Sequence, residues 1–199
     1  MITKIIHEDK IQKAHKYIEK GESFVIVTHV SPDGDAIGSA LGLFHFLNAY
    51  GKENVSVIVP NDYPNFLKWM PGTKDVTIYE KYPEFSEQLI SDADVIFCLD
   101  FNDPKRIEKL ADPVLKSEAR KVLIDHHLHP VEFCNVTMSY PNISSTSEMV
   151  FRFNCRMGLF DLIDKNAAEC IYTWMMTDTG AFTYNSNHPE IYTIIGELI

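Results

Sequence analysis

The sequence predicts an α/β fold: a three-layer α/β/α domain on a mostly parallel sheet. Two observations carry that prediction. Six β-rich runs, SFVIVTH, NVSVIVP, DVTIY, ADVIFCLD, RKVLIDHH and CNVTMSY, alternate with helical stretches, which is the trace that βαβ units leave in a sequence. Several of the runs are almost continuously apolar, as strands buried on both faces must be. A third observation bears on function: three of the runs end in His or Asp.

Taken in order, MITKIIHEDKIQKAHKYIEKG reads as an amphipathic helix over 7–20. It lacks the long apolar stretch and small-residue cleavage site of a signal peptide. SFVIVTH is a strand ending at His29, and a turn of Pro, Asp and Gly leads into a helix near 35–50. Further helices are expected near 85–91, 104–118, 145–158 and 165–178, each between or after candidate strands. Asp103 before Pro104 is a good N-cap signal for the fourth of these six helices. The last segment, NHPEIYTIIGELI, opens a helix with Asn187 or His188 near the cap and Pro189 in the first turn. It reaches Ile199 without a C-cap signal, which reads as a chain cut inside a helix, with a further domain to follow.

Bulk composition fits one globular domain. The chain has 199 residues, 45% hydrophobic and 23% charged, with a formal net charge of -10. That balance argues against a partner such as long nucleic acid, which calls for a basic face. No apolar run reaches the length of a membrane span. Cys98, Cys134, Cys155 and Cys170 are scattered without a CxxC pair. They read as free thiols in a reducing cytoplasm rather than disulfides or a zinc site.

Residues 28–39, THVSPDGDAIGS, place His29, Asp33 and Asp35 in one tight turn. Two readings are open. Pro-Asp-Gly-Asp is ordinary turn chemistry, with Asp35 capping the next helix; alternatively, a cation holds the carboxylates together. Other residues bear on that choice. Asp100 ends VIFCLD, and Asp125, His126 and His127 end VLIDHH. In an open parallel sheet the strand C-termini share one edge, where ligands bind, so three strands deliver Asp and His to the same place. The alternative for His126 and His127 is two exposed or core histidines, and His129 reads as a loop residue. Asp178 follows a helix with apolar Ile171, Trp174 and Met175. A carboxylate at a helix C-terminus opposes the helix dipole, which calls for a compensating cation. Gly34 is expected to supply a positive φ or a close backbone approach, and Gly38 to let its helix sit close to the sheet. Arg152 and Arg156, four apart, read as a solvated helix face.

HVSPDGDAIGS, LDFND, DHH and TDTGAF, in that order and on those elements, resemble the four motifs of the DHH phosphoesterases. The resemblance runs from about Phe24 to Phe182 and includes VPNDYPNFLKWMPG and ISSTSEMVF as intermediate segments. It is closest to the branch of nanoRNases and phosphoadenosine phosphate phosphatases. It implies an N-terminal DHH catalytic domain over 1–185, with 186–199 starting a connecting helix towards a C-terminal DHHA1-type domain. It implies two divalent metal ions, with manganese the expected metal. His29 and Asp33 would bind one, and Asp35, His126 and Asp178 the other. Asp100 would bridge them, and His127 would contact the substrate phosphate. Asp125 would orient a ligand. Asn102 and Arg106 match a second-motif pattern and are expected at the substrate.

The implied activity is hydrolysis of short oligoribonucleotides, of 3'-phosphoadenosine 5'-phosphate, or of both. A cyclic-dinucleotide phosphodiesterase and a non-catalytic phosphate-binding module remain as alternatives. The expected partners are short RNA or a small phosphonucleotide, with no membrane, and a homodimer is a compatible assembly.

Overall fold

The architecture is taken from a computed structural model. It describes residues 2–181, 183 and 188–199, and for Asp178 the backbone alone. Six strands form a single parallel sheet: β1 (Ser23–Val27), β2 (Asn54–Val59), β3 (Val76–Ile78), β4 (Val95–Leu99), β5 (Arg120–Asp125) and β6 (Val136–Ser139). Their order is β3-β2-β1-β4-β5-β6. Each coincides with one of the six runs expected from the sequence.

The strands alternate between two cores because successive side chains point to opposite faces. Phe24, Ile26, Phe97, Leu99, Val122 and Ile124 enter the larger core. It is shared with α1 (Glu8–Lys20), α2 (Gly34–Ala49), α5 (Thr146–Arg156), α6 (Lys165–Asp178) and α7 (Glu190–Leu198). Val25, Val27, Ile96, Cys98 and Leu123 enter the other core, with α3 (Pro83–Ser91) and α4 (Ala111–Lys116). Crossovers in a parallel sheet are right-handed. The chain moves one way from β1 through α2 to β2, and the other way from β4 through α4 to β5. Their helices therefore cover opposite faces, and a crevice opens where the direction reverses, between β1 and β4.

The helix expected over 104–118 is broken. Pro104–Leu110 is 3₁₀, α4 follows, and Glu108 sits at φ 47°. Pro113 has no N–H to continue the ladder, and the Arg106 carbonyl instead accepts the Val30 N–H at 2.8 Å. That bond fastens the segment to the loop after β1.

Two sequence expectations change. Gly34 supplies a close backbone approach rather than a positive φ, and Gly38 faces a helix rather than the sheet; with Gly42 they line the face of α2 that meets α6. A Cβ on Gly34 would fall 1.5 Å from the Trp174 ring, and one on Gly38 would fall 1.2 Å from it. The indole lies directly on the α2 backbone and donates its Nε1–H to Met70 Sδ at 3.0 Å.

Arg152 is not on a solvated face: its side chain is 2% exposed. It pairs with Glu148 (2.7 Å), with Glu190 of α7 (2.7 Å) and with the Thr3 carbonyl (3.1 Å). Arg156 reaches the Ile6 carbonyl and Glu8. A guanidinium is buried only when its donors are matched; Glu148 is a helical neighbour, but Thr3, Ile6, Glu8 and Glu190 come from far along the chain, which helical spacing cannot reveal. With Ile191 and Ile194 buried, the first turns of α7 belong to the main core. α7 starts at Glu190 after Pro189, and Asn187 lies outside the described residues.

Candidate metal centre at the strand ends

The C-terminal ends of β1, β4 and β5 bring His29, Asp33, Asp100, Asp125, His126 and His127 together at the reversal point. Asp100 follows β4 at φ 65°. A non-glycine residue held there is strained, and such strain persists where surrounding contacts over-determine it.

Two histidines have the same construction. His29 Nδ1 lies 2.8 Å from the Val30 carbonyl, so the carbonyl fixes that nitrogen as the N–H donor. Its Nε2 faces Asp100 Oδ2 at 3.3 Å and Asp33 Oδ1 at 3.8 Å. This Nε2 is buried and makes no hydrogen bond of acceptable geometry among the described residues. His126 Nδ1 lies 3.3 Å from the Ile143 carbonyl. Its Nε2 faces Asp100 Oδ1 at 3.6 Å and Asp35 Oδ2 at 3.7 Å. One nitrogen held by a carbonyl, with the other aimed at carboxylates, is how metal-binding histidines are oriented. The two oxygens of Asp100 thus face different histidines.

Electrostatics agree with a cation site. Burial pulls the His29 pKa down, but Asp100 and Asp33 outweigh it and lift the imidazole to about 10. The carboxylates carry enough unbalanced negative charge to hold a proton where a metal could sit. Burial likewise pushes Asp33 up, and His29 with the Ala36 N–H more than reverses it. Acidic and imidazole groups are therefore positioned for metal binding, and the orphaned His29 Nε2 fits that use.

The cap of α2 is Asp33, which accepts the Ala36 N–H at 3.1 Å, and not Asp35. Asp35 accepts the Thr146 and Ser147 N–H groups at 2.5 and 2.8 Å, at the start of α5. Thr146 also donates its hydroxyl to Asp100 Oδ1 at 2.8 Å. Sequence reasoning gave neither residue a role. The available signal was Ser145 with Glu148 three residues on, a capping box, with Ser145 Oγ accepting the Glu148 N–H at 3.1 Å.

His127 is built differently. Its Nδ1 lies 2.7 Å from Asp125 Oδ1, and its backbone N–H donates to Asp125 Oδ2 at 3.1 Å. Asp125 raises its pKa against the opposing effect of burial. Nε2 lies 3.0 Å from Arg106 Nη1, which is also 3.3 Å from the Asp100 carbonyl. Asn102 donates its side-chain amide to the Leu128 carbonyl at 2.6 Å, and its backbone carbonyl accepts the Val131 N–H at 2.8 Å. It clamps the loop that follows His127. The Asp178 backbone ends α6 as expected, and its side chain lies outside the described residues. Beside His126 and His127 a cleft of about 750 Å³ runs past Asn142 and Ser144 to His188, a size suited to a small ligand.

An open parallel sheet with carboxylates and imidazoles positioned for metal binding at its reversal point defines the class, an α/β protein with a candidate metal centre at its ligand edge. A model of the DHH family, N-terminal domain, matches residues 23–174, and the chain belongs to that family. It is 34% identical over 178 residues to a bifunctional oligoribonuclease and PAP phosphatase of Thermus thermophilus, covering 87% of this chain and 48% of that protein. It is 26% identical over 182 residues to the protein of the same name from Bacillus subtilis, covering 89% and 53%. An exopolyphosphatase-related protein from Bacteroides fragilis has a crystal structure that superposes with a TM-score of 0.97 at 59% identity, over 99% of this chain and 58% of that one. The chain spans about half the length of the curated relatives it matches.

Among the described residues no helix is long and apolar enough to cross a membrane.

Proposed function

We propose that this chain carries the catalytic centre of a two-metal phosphoesterase acting on short oligoribonucleotides, 3'-phosphoadenosine 5'-phosphate, or both. The observation that carries the reading is Asp100, whose Oδ2 faces His29 and whose Oδ1 faces His126. In this reading His29 and Asp33 hold one divalent ion, Asp35, His126 and Asp178 hold the second, and Asp100 bridges them. Manganese is the expected metal, in keeping with a His/carboxylate set without thiolates. The names of the Thermus and Bacillus relatives support the substrate class.

Bound there, divalent ions supply charge neutralisation to phosphoryl transfer and acidity to water. The protein supplies placement. Asp33, which accepts the Ala36 N–H, and Asp35, which accepts the Thr146 and Ser147 N–H groups, would each face a different cation. Asp125 fixes the His127 ring through Nδ1, and Nε2 meets Arg106 Nη1 at 3.0 Å. With Nε2 protonated, His127 and Arg106 would both turn donors towards a phosphoryl oxygen, and donors placed in advance stabilise charge that develops in the transition state. Asn102 holds the loop that keeps His127 in place. Residues 1–185 are the catalytic unit in this reading, and 186–199 start the connection to a further domain, in keeping with relatives of about twice this length. The setting in this reading is cytoplasmic, and a homodimer is a compatible assembly.

The test is hydrolysis by the manganese-loaded protein of a panel: RNA of two to five nucleotides, 3'-phosphoadenosine 5'-phosphate, cyclic dinucleotides, pyrophosphate and tripolyphosphate. Short RNA or the phosphonucleotide should give the highest kcat/KM. A clear preference for a cyclic dinucleotide or for an inorganic polyphosphate would replace this reading.

A further inference from the structure

We propose that Thr146 is the positioning residue of the second metal position, and that its hydroxyl sets the affinity of that position without governing the first. The inference rests on the two-ion reading above.

The argument starts from lone pairs. A carboxylate oxygen has two, and one spent on a fixed hydrogen bond leaves one direction for a cation. At the first position His29 meets Asp33 Oδ1 and Asp100 Oδ2. At the second, His126 meets Asp35 Oδ2 and Asp100 Oδ1. Thr146 contacts both carboxylate oxygens of the second position. Its N–H donates to Asp35 Oδ2, and its Oγ1–H donates to Asp100 Oδ1. Ser147 N–H takes the other oxygen of Asp35.

The group is well suited to hold this geometry. Thr146 is fully buried at the first turn of α5, so water cannot replace its hydrogen bonds. Its branched side chain restricts χ1. It joins two carboxylates that arrive on different elements, α2 and the end of β4. Fixing both prevents either from turning away from His126. Outer hydrogen bonds of this kind are worth roughly 10- to 100-fold in metal affinity. The hydroxyl is the separable part, since the backbone N–H survives any substitution except proline.

The test compares the wild-type chain with Thr146→Val, which keeps the shape and loses the hydroxyl, and Thr146→Ser, which keeps the hydroxyl. Calorimetric titration with Mn²⁺ alone reads the two binding steps, and circular dichroism shows that each variant is folded. Thr146→Val should weaken one step by roughly 10- to 100-fold and leave the other within about threefold. Thr146→Ser should restore both. If valine does not fold, serine together with Thr146→Cys, a weak donor of similar size, supplies the comparison, and the cysteine variant should show the selective loss. Two wild-type steps retained unchanged in a folded variant lacking the hydroxyl would overturn the inference and leave the two-ion reading standing. Equal loss at both steps, or a serine variant as weak as valine, would also overturn it. A wild-type protein that takes up fewer than two ions would remove the two-ion reading and this inference together.

Discussion

Gly38→Ala tests the link between helix packing and the metal centre. The added Cβ would fall 1.2 Å from Trp174 Cδ1 and 2.1 Å from Cγ. Carbon atoms in contact sit about 3.5–4.0 Å apart, so more than 2 Å of relief is needed. There are two ways to find it. Displacing α2 from α6 overpacks the core, at about 1–3 kcal/mol. Expelling the indole exposes on the order of 150–250 Å², worth roughly 4–6 kcal/mol at about 25 cal/mol per Å². The size of the clash puts the cost near 3–5 kcal/mol. Alanine regains about 1 kcal/mol of helix propensity. The net expectation is a loss of about 2–4 kcal/mol. The assay is urea unfolding followed by circular dichroism and tryptophan fluorescence. Gly196→Ala in α7 is the control: a Cβ there meets nothing within 4 Å, so it should be neutral or gain up to about 1 kcal/mol. Since α2 also carries Asp35 and is capped by Asp33, the Gly38 variant should bind Mn²⁺ more weakly as well. A Gly38→Ala midpoint equal to that of Gly196→Ala would refute the packing argument.

Asp100→Asn should lower turnover by roughly 10²- to 10³-fold, the equivalent of several kcal/mol of lost electrostatic stabilisation, and should weaken both metal steps. Near-normal turnover with two ions bound would exclude a bridging role. His126→Ala should reduce metal occupancy, whereas His127→Ala should leave it intact and lower kcat, because Asp125 and Arg106 occupy the His127 nitrogens; equal metal loss in both would reject that division. The Glu190 pair should be sensitive to acid. Burial raises its pKa, but Thr3 and Arg152 outweigh burial and hold it near about 2, against a reference of 4.5. A depressed pKa stabilises the fold above the unfolded value, so this contribution is complete above pH 4.5 and disappears as pH falls towards 2. The stability difference between wild type and Glu190→Gln should shrink over that window, and a pH-independent difference would contradict it.

The sequence by itself determined the layers and put most residues of the candidate centre at one sheet edge. The most apolar runs became the central strands β1, β4 and β5 because continuous burial on two faces admits few other structures. Asp100, Asp125, His126 and His127 could be placed at one edge from sequence because parallel strands share a C-terminal side. The signal is local in each case: a period, a run or a residue at its end. The strand order came only from the tertiary structure, since no single segment records which neighbour it pairs with, and that order puts β1 beside β4 and so brings His29 to Asp100. The same limit explains the misreadings. Gly38 looks like a contact with the sheet until Trp174, far along the chain, is seen lying on it and on Gly34. Arg152 looks solvated until Thr3 and Glu190 arrive from the two ends. Asp35 looks like the cap of its own helix, yet the N–H groups it accepts belong to α5, more than a hundred residues away. Hydrogen bonds and close contacts depend on distance in space, and only the folded chain brings these partners within reach.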